Sequence, residues 1–256
     1  MNHLLAIPLP KIQWFLIFSL SWLVGGCDGI ESKPELVSKF RTMGVGFDDP
    51  SYTYSTADAS QTATLNFFFV SPSAVSIAAS DLELESNNQV ELTFSSPELV
   101  NDTSAMKVYR VTAETTLPSA DTLIFNPLEN NTAEVVYGAK FTAGSEEEIV
   151  FGSIKIYTPE VAASDSVQTP VATITSHSEG EAISSGTETL VGEVSSENAG
   201  EAYRSSWLVS SGTILDFRRR ETDWEEIGSG SKTVIFTARG LDSHNFSYQL
   251  ITLEAN

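Results

Sequence analysis

Apolar and polar residues alternate along most of this chain with a period of two. Residues 62–70 (TATLNFFFV) set Ala63, Leu65, Phe67 and Phe69 on one face and the threonines and Asn66 on the other. That is the pattern of a strand with one face in a core. Residues 81–85 (DLELE) and 90–94 (VELTF) flank Ser86-Asn87-Asn88-Gln89. Because Asn tolerates positive φ, this reads as a hairpin. Further strands are expected at 106–113, 122–125, 132–137 and 149–157, then at 171–175, 188–194, 203–210, 213–217, 222–225, 233–239 and 246–253. Each is short, rich in Val, Ile, Thr and aromatics, and bounded by Ser, Asn, Pro or Gly. No window beyond residue 35 holds helical periodicity over a dozen residues, so that part reads as all-β, of the sandwich or barrel kind.

Two departures from the alternation divide the chain. Residues 158–170 (TPEVAASDSVQTP) carry a Pro near each end and small or polar residues between, a linker composition. Taking the linker as 159–169 gives a first β-sandwich over 36–158 and a second over 170–256. The other departure is the dense apolar run at 12–24, preceded by the weakly basic residues 1–11. It is too short to cross a bilayer and suits the apolar centre of a secretion signal.

That run ends in Leu23-Val24-Gly25-Gly26-Cys27, which resembles the lipobox of bacterial lipoproteins. The resemblance implies a signal peptide over 1–26, cleavage before Cys27, a diacylglyceryl thioether on its sulfur and an acylated (palmitate-type) amino group. Small residues before the bond admit a peptidase, and the thiol is the nucleophile that accepts lipid. Two or more acyl chains anchor a protein stably where one does not. Asp28 resembles the inner-membrane sorting signal of enterobacterial lipoproteins, and this Gram-negative rule is not universal, so inner and outer membrane both stay open. Residues 27–35 become a lipidated polar tether, of which 28–35 reach at most ~28 Å.

The second domain carries its own likeness. Trp207 in mid-strand, Gly212 in a Ser-Gly turn, Trp224, Gly230 and the TVIFTAR strand at 233–239 resemble bacterial immunoglobulin-like and PKD-like domains. The resemblance covers about the last 85 residues and implies tandem immunoglobulin-like β-sandwich domains. Arg239-Gly240 stands before Asp242, where PKD-like domains place an acid directly, so no calcium site is carried over. Trp207 suits the centre of a sandwich, where its ring buries roughly 150–250 Å². At ~25 cal/mol per Å² that is about 4–6 kcal/mol before entropy costs.

Composition narrows the function. The 256 residues hold 14 Lys+Arg against 34 Asp+Glu, for a net charge of −20. Such a body repels nucleic acid, and no basic stripe offers an exception. Hydrophobic residues make up 41%, enough for a core. Cys27 is the one cysteine, so intramolecular disulfides and cysteine-based zinc sites are excluded. Removing 1–26 takes away one Lys and no acid, leaving the mature body more acidic and pushed from anionic bilayers.

Candidate chemistry is sparse. His177 and His244 read as loop histidines, without a Gly-x-Ser-x-Gly elbow or other nucleophile context. Asp48 and Asp49 are the better candidates for a metal, ahead of Glu146, Glu147 and Glu148, but neither group has the alternation of a calcium loop. Arg218, Arg219 and Arg220 are the candidate partner-binding residues. Asp216, Glu221, Asp223, Glu225 and Glu226 surround them, so local pairing is the favoured reading. Phe68 must face away from Phe67 and Phe69. A loop or the second domain covers it, or it is an exposed contact.

These readings converge on a non-enzymatic lipoprotein of the cell envelope, tied to the inner or outer membrane, with its body in the periplasm or at the cell surface. It needs no cofactor and would bind a protein or glycan partner through its loops. One alternative is a carbohydrate-binding or adhesion module using Tyr52, Tyr54 and Trp224. A further one is a hydrolase with an atypical site, which requires a His beside a Ser and a carboxylate in one pocket.

Overall fold

The computed structural model describes residues 36–48, 52–53, 61–74, 82–86, 90–119, 122–124, 126, 132–158, 169–195, 201–241 and 243–256. Cys27, Asp28, Asp49, Tyr54, most of the expected linker and the Asn87-Asn88 turn lie outside the described residues. Residues Pro34–Asn256 form one compact unit. The described residues are all-β, and none of them forms a helix long and apolar enough to cross a membrane.

The first sandwich is built from β1 (Arg41–Phe47), β2 (Tyr52–Thr53), β3 (Thr62–Pro72), β4 (Leu82–Ser86), β5 (Thr93–Phe94), β6 (Glu98–Asp102), β7 (Met106–Thr116), β8 (Thr132–Ala143) and β9 (Glu146–Tyr157). One sheet runs β1-β3-β7-β5, with β6 also on β7, and the other runs β2-β9-β8-β4. The second sandwich uses β10 (Val171–Ile174), β11 (Ala182–Ile183), β12 (Thr187–Ser195), β13 (Tyr203–Val209), β14 (Thr213–Ile214), β15 (Glu221–Glu225), β16 (Gly230–Gly240) and β17 (Phe246–Ala255). Its sheets run β10-β12-β15-β14 and β11-β17-β16-β13.

Both halves share one strand order. Lettered A to G along the chain, each has an A-B-E-D sheet facing a G-F-C sheet, as in the immunoglobulin constant-type sandwich. In both, the first strand is split, and its second piece (β2 or β11) pairs parallel with the last strand of its half. This order corrects the expected 81–94 hairpin. β4 pairs with β8 and β5 with β7, in opposite sheets. Val90 and Leu92 between them are buried in the core, so the connection crosses the sandwich instead of turning back. The expected strand at 122–125 is also absent from its described part. Thr122 donates to Ser119 O in a turn (2.9 Å) and Ile124 is 89% exposed.

Alternation sorts the side chains as the sequence requires. Ala63, Leu65, Phe67 and Phe69 of β3 are fully buried, with Tyr137, Phe141, Ile154 and Ile156 from the facing sheet. Phe67 and Phe69 meet Phe141 at ring-centroid distances of 5.0 and 4.5 Å, a spacing typical of packed aromatic pairs. In the second core, Trp207 and Phe236 lie 4.4 Å apart. The Trp207 indole N–H donates to Arg219 O (2.8 Å) and that of Trp224 to Ser211 O (2.9 Å), so both buried donors are satisfied. Gly212 takes φ 81°, and a Cβ there would stand 2.5 Å from Glu225 O. Only glycine fits that turn.

The two sandwiches pack sheet on sheet. Val70, Met106 and Val108 on the outer face of β3 and β7 join Leu208 and Ile235 from the outer face of β13 and β16 in a third apolar cluster. Phe68 lies 5.8 Å from Phe246 and 5.4 Å from Tyr248, so the second sandwich is what covers it. Tyr248 OH donates to Asn101 Oδ1 (2.9 Å), and the hydroxyls of Thr103 and Thr233 are 2.8 Å apart. The described sheets therefore form a four-layer stack. Ahead of β1, Leu36 bridges to Val209 and the Val37 N–H donates to Val209 O (3.0 Å), which fixes the incoming chain to the second sandwich.

Candidate functional site

The candidate residues do not converge. His177 follows β10 with its side chain 9% exposed and Nδ1 3.5 Å from Glu181 Oε1. The other carboxylate oxygen of Glu181 accepts the Ser178 N–H (2.8 Å). That backbone bond, with His177 beside it, holds the Glu181 carboxyl below its usual range. His177 Nε2 is buried without a hydrogen-bond partner among the described residues. His244 sits in the β16–β17 turn with φ 60°, its Nδ1 3.3 Å from Arg239 Nη2 and its Nε2 4.0 Å from Glu134 Oε1 of the first sandwich.

The acidic candidates are engaged in structure. Asp48 Oδ1 accepts the Asn66 amide. Glu146, Glu147 and Glu148 reach Lys39 (3.9 Å), Lys140 (2.8 Å) and the Thr42 N–H (3.2 Å). Among the described residues no three His, Cys, Asp or Glu side chains are grouped as metal ligands.

The arginine island borders an open depression of about 550 Å³ lined by Leu215, Asp216, Arg219, Arg220, Glu221, Thr222 and Asp223. Arg219 Nε pairs with Asp216 Oδ2 at 2.9 Å, and the Arg218 guanidinium lies 5.1 Å over the Phe217 ring. Three carboxylates against two arginines leave its wall acidic, which disfavours an anion. A second cleft, of about 420 Å³, is lined by Thr62, Glu91, Thr93, Glu114, Thr115 and Thr116 at the β3–β7–β5 end. Sequence reading missed it, because the pairing of Thr93 with Glu114 joins segments that are separate along the chain. Neither cleft is lined by a histidine. The aromatic row fails at Trp224, which is fully buried in the second core with its N–H bonded. A ring needed to close the core is not offered to a sugar.

The most unusual surface is the outer face of β8 and β9. Val136 is 48% exposed, Ile149 55% and Phe151 64%. Register places them together, with Gly138 opposite Phe151, Val136 opposite Ser153 and Lys140 opposite Ile149. Glu134 and Lys155 stand opposite each other in register at one end of this strip, and Lys140 and Glu147 are ion-paired at the other. Charge is thus balanced around an apolar centre, on a chain with a net charge of −20. Large exposed side chains in one contiguous patch mark a contact surface more than scattered ones do.

No family model matches the chain, and no curated protein matches it. Among solved structures, the fibronectin(III)-like modules of CbhA from Clostridium thermocellum align with a TM-score of 0.32 and 9% identity, covering 83% of this chain and 94% of that one. Drosophila N-cadherin EC1-3 gives 0.28 and 9%, over 86% and 68%. The ectodomain (Ig1–Ig3) of mouse nectin-like molecule 4 gives 0.25 and 10%, over 82% and 62%. Likeness at this level carries no argument about function. The fold assignment stands on the strand order.

Proposed function

We propose that this chain is a lipid-anchored protein of the bacterial cell envelope that acts by binding, not by catalysis, and that its contact surface is the outer face of β8 and β9. The observation that carries the reading is the strip of Val136, Ile149 and Phe151, exposed on one sheet face and flanked by balanced charge. Other strongly apolar faces of the described sheets are consumed inside the stack. The anchor rests on Cys27 at the end of the lipobox-like segment, with Asp28 as its sorting residue. The acidity of the body favours a position held off an anionic bilayer, leaving the strip open to an envelope protein.

Two measurements test this reading. Mass spectrometry of the purified full chain should find Cys27 at the new amino end, carrying a diacylglyceryl thioether, and an unmodified thiol there overturns the anchor. Cross-linking in envelopes should join the parent chain to a protein partner. Phe151→Glu should abolish that product and Leu215→Glu, on the second sandwich, should leave it. Equal products from both variants would remove the strip from the account.

A further inference from the structure

We propose that the occupant of the β8–β9 strip is a second copy of this chain, docked face to face about a two-fold axis as an isologous dimer. This rests on the reading of the strip as the contact surface. The molecule already holds a precedent. In the second sandwich, the outer face of the G-F-C sheet carries Leu208, Ile235 and Leu250, and a sheet of the first sandwich covers it. The same face of the first sandwich leaves Val136, Ile149 and Phe151 exposed, and none of the other described sheets packs on it.

Among the described sheets, the other outer faces suit the strip less well than a second copy of it does. The apolar outer face of β3 and β7 is already buried between the sandwiches. The outer face of the second A-B-E-D sheet presents Glu193, Glu221 and Asp223, so stacking it on the strip would set acids over Phe151 and Ile149. By contrast, the charges bordering the strip complement their own rotated image. A two-fold axis across the strands sets Glu134 over the second copy's Lys140 and Lys155 over its Glu147. An axis along the strands sets Glu134 over Lys155 and Lys140 over Glu147. Either closes the pair, as an isologous interface requires. Gly138 and Phe151 stand opposite each other at the centre, where Phe151 is 64% exposed.

The size of the face makes the dimer a weak one. The twelve-residue ribbon of β8 and β9 spans ~40 Å by ~10 Å, roughly 400 Å² per copy. Standard stable interfaces bury about 800 Å² per partner, and a charge of −20 on each chain opposes approach at long range. β4 also carries Glu83 and Glu85 at positions in register with Thr142 and Lys140, so the contact is the strip and not the whole sheet.

The test uses the full chain in detergent micelles. Phe151→Cys, close to the axis, should oxidise to a disulfide-linked dimer, while the parent chain and Leu215→Cys should not. Light scattering at about 50 µM should give a dimer for the parent and a monomer for Phe151→Glu. Glu134→Lys/Glu147→Lys makes the rim uniformly basic without touching the apolar centre, and it should also be monomeric. Mixing it with Lys140→Glu/Lys155→Glu should restore a heterodimer. A parent that is monomeric and Phe151→Cys that fails to cross-link overturn the dimer. So does a dimer that persists in Phe151→Glu. If the parent is monomeric yet Phe151→Glu still loses its envelope cross-link, the dimer falls and the contact surface stands. If neither is affected, both fall.

Discussion

The ring of Phe246 lies so close to Gly44 that a Cβ on that glycine would stand 2.3 Å from Phe246 Cδ2. The two residues belong to different sandwiches, and the ring is held by Phe68 and Tyr248 on its other sides. Gly44→Ala should therefore cost about 1–3 kcal/mol, the usual penalty of overpacking. Gly46→Ala is the control, because its nearest neighbours lie at 3.4 and 3.5 Å. Urea midpoints should drop for the first variant and hold for the second.

Tyr248 ties the same seam through its bond to Asn101. Tyr248→Phe should cost about 0.5–1.5 kcal/mol, and a double-mutant cycle with Asn101→Ala should show coupling. Burial pushes the Tyr248 phenol above its ordinary value of 10.0, with Arg110 pulling weakly the other way. Burial raises Tyr137 likewise, against a smaller opposing effect from Arg239. The unfolded chain then loses these protons at lower pH than the folded one. Their contribution is fully present below the unfolded value and is lost as pH rises through the folded values. Urea unfolding from pH ~8 to ~11 should show falling stability, with a smaller fall in Tyr248→Phe and Tyr137→Phe.

Phe236 stands over Gly192, where a Cβ would meet its ring at 2.6 Å. These residues lie on strands B and F of the second sandwich, the pair that a disulfide joins in antibody domains. Here an aromatic ring fills the space between the strands against a bare backbone. Gly192→Ala should destabilise the chain by about 1–3 kcal/mol. Gly186→Ala, whose nearest neighbour is 3.5 Å away, should change thermal melting little.

Trp224→Ala should remove a fully buried ring and cost about 3–5 kcal/mol. If the residue served instead as an exposed sugar platform, the variant would melt like the parent. Differential scanning calorimetry separates the two.

Strands such as β12 and β15 were legible because one face of each is largely polar. The alternation at 62–70 places every inner residue of β3 where it is found. Partnership between strands was not legible. The Asn-rich turn near 87 has the local chemistry of a hairpin, yet the buried Val90 and Leu92 carry the chain into the opposite sheet. The stacking of the two sandwiches did leave a trace. In FFFV at 67–70 and VIF at 234–236, apolar residues fall on both faces, as in strands buried on two sides. The β8–β9 strip was hidden, because Val136, Ile149 and Phe151 look like ordinary strand residues until register aligns them on one face.

The bridge from Leu36 to Val209 sets an order of assembly. A chain made from its amino end completes its first nine strands long before residue 209 exists, yet the stretch leading into β1 has its backbone partner there. The earliest part of the body to be synthesised is thus among the last to be locked. Until then, Val37 and the outer side of β3 stay bare, a span during which a chaperone has something to hold.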